Sequence, residues 1–487
     1  VRLNEKIFAP ALWSLNPNSN FEDDAVSGQL SFDGKSYLEL DIPTGVLLDW
    51  PKIPTKDGYM QCHTVEGLHT DCVYGFSQTG EYYILRDVSS PGPSFAAPGF
   101  QKQSLSGASI FISRQRVEAD PTAELISIKI PGLREWIGTV PFTVTSKLGG
   151  NRLTELTFNF DIDEVENVVL YENDELEIYV SFSFLRDGGR IPSYEFSFKS
   201  DCKLNFRYKQ PSLGFDRAME LHVFPVVDFL AFCMGFRYAI SSIEFKTIEG
   251  VCAEYLAPLV GLAGVPTNAQ LDRIPLSYKR IENKINEMIS RWIGFDEYAR
   301  NSSALVTSLM NDWKMPLDML FLASAQAFEA ASRSGANERE ISDEELQEKL
   351  SAIKSSNMNS KIRKWVIYKL RDAKWKSASS LAGDLVGRLG DYATFVVPDV
   401  SKYLKDHRAH RDAYTHRRTI KDDQRLSNAD LFTHTEATQM LAYGSIALYL
   451  GMEPEDLINA VKESRYRWNS IYRANLLYTI ASNDDAF

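Results

Sequence analysis

The sequence predicts an α+β chain of more than one domain. A β-rich, sandwich- or barrel-like front half, residues 1–265, is followed by an all-α helical bundle, residues 266–487. Three observations predict this. Short runs of alternating polarity separated by turn dipeptides fill the first half. A 3.6-residue apolar period takes over after residue 265. The length, 487 residues, exceeds what one core ordinarily organises.

In the front half, "GQLSFDGKSYLELDI" is two alternating runs joined at Asp33-Gly34, a hairpin signal. "VYGFSQTGEYYILRDV" repeats the design around Thr79-Gly80. "LISIKI", "LTELTFNFDI", "LEIYVSFSFL", "YEFSFKS" and "KLNFRYK" supply further strands. The most apolar stretch, 221–240, is interrupted by His222, Pro225, Asp228 and Arg237, too many polar groups for a lipid-exposed span. Met219, Val223, Val226, Leu230 and Cys233 recur there at helical spacing, and Gly235 supplies a stop, so a buried helix is expected. No membrane partner is expected.

In the back half, Ile281, Ile285, Met288 and Trp292 fall on one helical face. "MPLDMLFLASAQAFEAASRSG" opens with Pro316 and closes at Gly335. Ser342 and Glu345 form a capping box. Further helices are expected at 361–375, 379–389, 400–417, 435–450 and 455–478.

Composition excludes several classes. Hydrophobic content of 44% and charged content of 24% are those of a globular chain, not a disordered one. Five cysteines in mostly apolar surroundings suit a reducing, cytoplasmic setting better than a disulfide framework. Residues 1–265 carry 22 Lys and Arg against 35 Asp and Glu, so the net charge of −12 belongs to the front half. Its densest part, 161–177, holds eight acids and no base and reads as a solvated face. "CHTVEGLHTDC" sets Cys62, His63, His69 and Cys72 close together, ligand types that zinc accepts. Their spacing is not a usual zinc pattern, and a strand–turn–strand reading around Gly67 is preferred, so no metal is expected.

One stretch of the acidic chain runs against this balance. "HRDAYTHRR" packs two histidines and three arginines into nine residues, and 402–421 has seven bases against Asp406 and Asp412. Within it, Arg411-Asp-Ala-Tyr-Thr-His416 has the form Arg-x4-His. Such a pair suits RNA cleavage in which the ribose 2′-OH attacks its own phosphate. A histidine near neutral pKa moves the proton, and a guanidinium holds the extra negative charge. Spacing alone decides little, because Arg217…His222 repeats it inside the apolar helix, where His222 reads as a partly buried residue. Arg408, Arg417 and Arg418 are candidates for phosphate positioning, and Tyr414 for stacking on a base or for the core. His407 and His410 are expected to face solvent, and His434, near a helix N-terminus, to have a local structural role.

The helical half resembles a HEPN domain, whose ribonuclease members carry Arg-x4–6-His with a polar residue after the arginine. "LKDHRAHRDAYTH" matches with Arg411, Asp412 and His416; "FLASAQAFEAASR" matches with Glu329 and Arg333; "LAYGSIALYLGM" resembles the apolar helix that follows. "WSLNPNSNFEDDAVSGQLSFDGKSYLELDI" and "PGLREWIG" resemble the β-rich N-terminal domain of ApeA-type proteins, which couple it to a C-terminal HEPN module in bacterial antiphage defence. The resemblance implies a cofactor-free endoribonuclease with His416 as acid or base, Arg411 as phosphate clamp and Asp412 orienting the pair. Glu329 and Arg333 would support them from behind. It also implies a homodimer with a composite site, RNA such as tRNA or mRNA as substrate, and a phage-derived trigger. An acidic front domain covering the basic strip would supply restraint. A HEPN-like bundle that binds RNA or protein without cutting is the alternative, and a carbohydrate-binding β-domain rests on strand pattern alone.

Overall fold

The computed structural model describes residues 6–33, 38–49, 52–55, 58–61, 67–95, 101–138, 142–149, 152–160, 167–187, 197–258, 266–310, 315–335, 339–372, 375–416, 420 and 425–479. Contacts divide the chain into two units, Val1–Pro225 with Tyr238–Thr267, and Val226–Arg237 with Asn268–Phe487.

The first unit contains a closed six-stranded barrel. Ile7–Ser14, Val26–Phe32, Leu38–Ile42, Gln101–Ser113, Tyr82–Ser90 and Leu68–Ser77 pair antiparallel in that order, and the last returns to the first. Closure depends on Gln101–Ser113, which pairs on one side with Leu38–Ile42 and on the other with Tyr82–Ser90. Period-2 alternation turns Trp13, Leu30, Leu40, Val73, Leu85 and Leu105 inward, all fully buried. Trp13 lies directly across from Gly75. A Cβ on Gly75 would stand 2.6 Å from the indole, so the glycine makes room for the ring. Both expected hairpins are present, the second turning through Gly80 at φ 82°.

Ile110–Ser113, the far half of the long strand, also pairs with Cys252–Leu256. From there the sheet continues through Ser242–Thr247, Ala123–Lys129, Ser197–Tyr208, Leu176–Asp187 and Val168–Glu172. Phe111 meets Phe215 and Phe245 with ring centroids 5.1 and 5.0 Å apart, building the core at this junction. Two acids of the 161–177 run pair with bases, Glu177 with Arg207 on the neighbouring strand at 2.8 Å and Glu172 with Lys209 at 2.7 Å, while Asp174 and Glu175 are exposed. The remaining acids at 161–166 lie outside the described residues.

In the second unit, Asn428–Tyr449 is buried around most of its circumference, as a central helix must be. Leu317–Arg333, Glu297–Leu309 and Trp468–Leu477 pack around it, and Val400–His416 packs on Leu317–Arg333 and Ala378–Leu389. Ser342 is the N-cap expected, its Oγ accepting the Glu345 N–H at 3.1 Å, while the Glu345 carboxylate pairs with Lys349 at 2.6 Å. The apolar helix Phe224–Met234 ends at Gly235, φ 78°, as its stop signal predicts.

The helix expected at 455–478 is two helices, Pro454–Ser464 and Trp468–Leu477. Arg465 and Arg467 take left-handed backbone at φ 53° and 47°, which breaks the helix. The turn drives Tyr466 inward, where its hydroxyl donates to the Gly235 carbonyl at 3.2 Å. Among the described residues no helix is long and apolar enough to cross a membrane.

Candidate active site

The motif helix Val400–His416 reads Tyr403, His407, His410 and Tyr414 at 4-3-4 spacing. That spacing is one helical face, and the face points inward. His407 and His410 are only 8% and 2% exposed, which corrects the expectation that they face solvent. His407 packs edge-on to Phe328, centroids 5.2 Å apart, and stacks with Tyr403 at 5.7 Å. Burial, with Arg411 beside it, lowers its pKa to about 4. Among the described residues its Nδ1 has no hydrogen-bond partner.

His410 is engaged through both nitrogens. Nδ1–H donates to the Asp406 carbonyl at 2.9 Å, and Nε2 accepts the Leu426 N–H at 3.3 Å. That pattern fixes the neutral tautomer and ties the chain after the motif back to its helix. His434 lies well inside Asn428–Tyr449 and is fully buried, Nδ1 meeting the Tyr478 hydroxyl at 2.6 Å. Burial pushes its pKa well below the ordinary value.

Arg411 stands at the edge of this histidine face. Its guanidinium donates to Glu329 Oε2 at 3.0 Å and to Asp412 Oδ1 at 3.2 Å. Glu329 also accepts from Arg333 at 3.3 Å, one turn on along its own helix. Four residues named from sequence therefore form one ion-pair network, each half-buried. Burial works against the Arg411 charge, but Glu329 and Asp412 outweigh it and raise its pKa above the usual guanidinium value. A guanidinium has five N–H donors, and these contacts take two of them.

The network borders a cavity of about 60 Å³ between three helices. Phe328, Glu329 and Ser332 come from the first, Ala378, Ser379 and Ala382 from the second, and Leu404, His407, Arg408, Arg411 and Asp412 from the motif helix. Arg408 is exposed at its rim. Tyr414 rests on Phe321, centroids 5.5 Å apart, against a cluster with Ala325 and Leu431, so its ring belongs to the core. His416 is the last residue of the motif helix, and its side chain, like Arg417 and Arg418, lies outside the described residues. So do Cys62 and His63; His69 pairs instead with Asp87 at 2.7 Å. A larger cleft of about 510 Å³, bordered by Arg273, Arg465, Arg467 and Arg473, contains none of the motif residues. His222 is partly buried against the Tyr208 hydroxyl at 3.3 Å, and Arg217 pairs with Glu220.

Comparison with known families fits this geometry. The family model for the ApeA N-terminal domain 1 matches residues 11–292, more than half of the chain. The chain belongs to the ApeA family. The model for the ApeA-like HEPN domain matches residues 322–456, a span that takes in Glu329, Arg333, the whole motif helix and the buried helix after it. The chain is thus a HEPN-domain antiphage defence protein with a β-rich front region. HEPN domains are in general nucleases that act on RNA. Neither a curated protein nor a solved structure matches the chain.

Proposed function

We propose that the HEPN unit cuts RNA by transesterification at Arg411 and His416. The 2′-oxygen bonds to the adjacent phosphorus as its proton leaves, and the bond to the 5′-oxygen breaks with a proton returned to it. The products are a 2′,3′-cyclic phosphate and a 5′-hydroxyl. The free donors of Arg411 bind the non-bridging oxygens as charge builds on them. His416 moves the proton. A second copy of the chain brings a second pair across a two-fold axis, so one imidazole acts as base and the other as acid.

The observation that carries this reading is the Arg411 network. A guanidinium held by two carboxylates at a cavity rim is fixed in place yet keeps donors for a phosphate. The other histidines of the motif helix are poorly suited to proton transfer: His407 is buried and depressed to about 4, and His410 spends both nitrogens on the backbone. The same reading assigns the chain to the cytoplasm, where tRNA or mRNA is cut after a phage component relieves restraint.

The test uses purified full-length protein and total cellular RNA in EDTA, with and without phage lysate, followed by end-group analysis. Cyclic phosphate ends made by the native chain and lost in folded His416→Ala are expected. RNA left intact by the native chain under both conditions would contradict the reading.

A further inference from the structure

Between the helix that supplies Glu329 and the helix Ala378–Leu389, the HEPN unit makes a detour. Asp343–Ser355 and Ser360–Asp372 form a helical hairpin whose partners pack chiefly on each other. A β-bridge between Arg339 and Trp375 closes its base. On the second helix, Val366, Ile367 and Leu370 are half-buried, and on the first Leu346 and Leu350 are buried. The hairpin therefore already has an apolar seam.

A second set of large side chains is left outside. Ile362 is 56% exposed, Trp365 and Tyr368 62% each, and Trp375 at the base 51%. At about 100° per residue, Ile362, Trp365 and Tyr368 share one side of the helix with Lys361 and Lys369 set between them, and Lys364 and Arg371 lie at the far edge of the exposed half. Among the described residues none of these four cations has an ion-pair partner. The helix carries five bases and one acid in a chain of net charge −12.

We propose that this outward face, with Trp375 at its base, is a docking platform for single-stranded RNA that leads the strand to Arg411. Exposed rings alternating with cations are what a flexible polyanion with stackable bases requires. Three residues after Trp375 the chain enters Ala378–Leu389, whose Ala378 and Ser379 line the Arg411 cavity. The base of the platform at Trp375 is thereby within three residues of the cavity lining.

Charge disfavours the other occupants. A second copy meeting this face across a two-fold axis would set the same four cations against one another. A membrane-surface helix separates its apolar side from its charged side, whereas here the exposed rings and cations interleave. Delivery to Arg411 rests on the ribonuclease reading; binding does not.

The test measures fluorescence anisotropy of a fully 2′-O-methylated single strand of about 15 nucleotides, which cannot be cut, on the full chain. Variants are Trp365→Ala/Tyr368→Ala and Lys361→Glu/Lys364→Glu, at exposed positions where native unfolding curves are expected. We expect affinity to fall about tenfold or more in each, with the salt dependence flattened only in the lysine variant. Unchanged affinity in both would overturn the platform, whether or not the chain cuts RNA. Native binding with platform variants impaired, in a chain that never cuts, would keep the platform and sink the ribonuclease reading. Variants that shift dimer to monomer at constant RNA affinity would overturn the platform in favour of a contact between copies. Binding to anionic vesicles without RNA binding would overturn it in favour of a membrane.

Discussion

Arg411→Ala is expected to lower RNA cleavage by about 10²–10³-fold while leaving the protein folded. In the proposed mechanism the guanidinium meets charge on the phosphorane, so its loss would act on the transition state. Structural damage is expected to be small. The side chain is 26% exposed, and Glu329 keeps Arg333 as a partner. An ion pair at that exposure is worth about 1 kcal/mol or less. Arg411→Lys separates charge from geometry: lysine keeps the charge but cannot span Glu329, Asp412 and a phosphate with one planar fork, so most of the loss should persist. Cleavage rates measured beside thermal unfolding curves check this. Full activity in Arg411→Ala would remove the guanidinium from the chemistry.

A loss of stability in mild acid is the second large effect. His407 titrates at about 4 in the folded chain, against an ordinary value of 6.5. The unfolded chain therefore binds a proton that the folded one refuses. Stability from this group is complete above about pH 6.5 and falls as pH drops toward 4, by about 3 kcal/mol in all. His434 adds to the loss in the same direction, since burial also pushes its pKa well down. The groups facing His407 are Arg411, Glu329, His410 and His434. Only Glu329 favours the protonated form, and it does not prevail. Hydrogen exchange of the motif helix between pH 7 and 4.5 reads the effect. His407→Phe, a ring that suits the contacts with Phe328 and Tyr403, should flatten the pH dependence. An equal slope in the variant would contradict the assignment to His407.

The fold class was legible because the two periods are local properties. Asp33-Gly34 and Thr79-Gly80 mark hairpins within a few residues, and Ser342 with Glu345 marks a helix start. Barrel closure was not legible. It depends on Gln101–Ser113 pairing with strands on both sides, and nothing local in that sequence names its partners. Likewise, residues 226–237 pack with the helical unit although strand-rich sequence lies on either side of them. The break at Arg465 and Arg467 was hidden because arginine carries no turn signal; the burial of Tyr466 explains it only in three dimensions.

At the site, the residues carrying charge were readable and those carrying packing were not. Arg411, Asp412, Glu329 and Arg333 were named from motif and resemblance, and they lie in one network. His407 and His410 were misread because basic neighbours suggested a solvated face. The signal that would have corrected this was present in the 4-3-4 spacing of Tyr403, His407, His410 and Tyr414. In Ser360–Asp372 the exposure of Ile362, Trp365 and Tyr368 could not be read from sequence, because apolar residues at that spacing serve equally well as a core face.

The central claim is that the ribose 2′-oxygen is the nucleophile. Once a cleavage position has been mapped in a defined RNA, the most direct measurement replaces that one nucleotide by its 2′-deoxy form and follows cleavage in EDTA. The account predicts that the substituted position resists cutting while unsubstituted RNA still yields 2′,3′-cyclic phosphate ends. Cleavage at the deoxy position, or products ending in a 3′-hydroxyl, would contradict it.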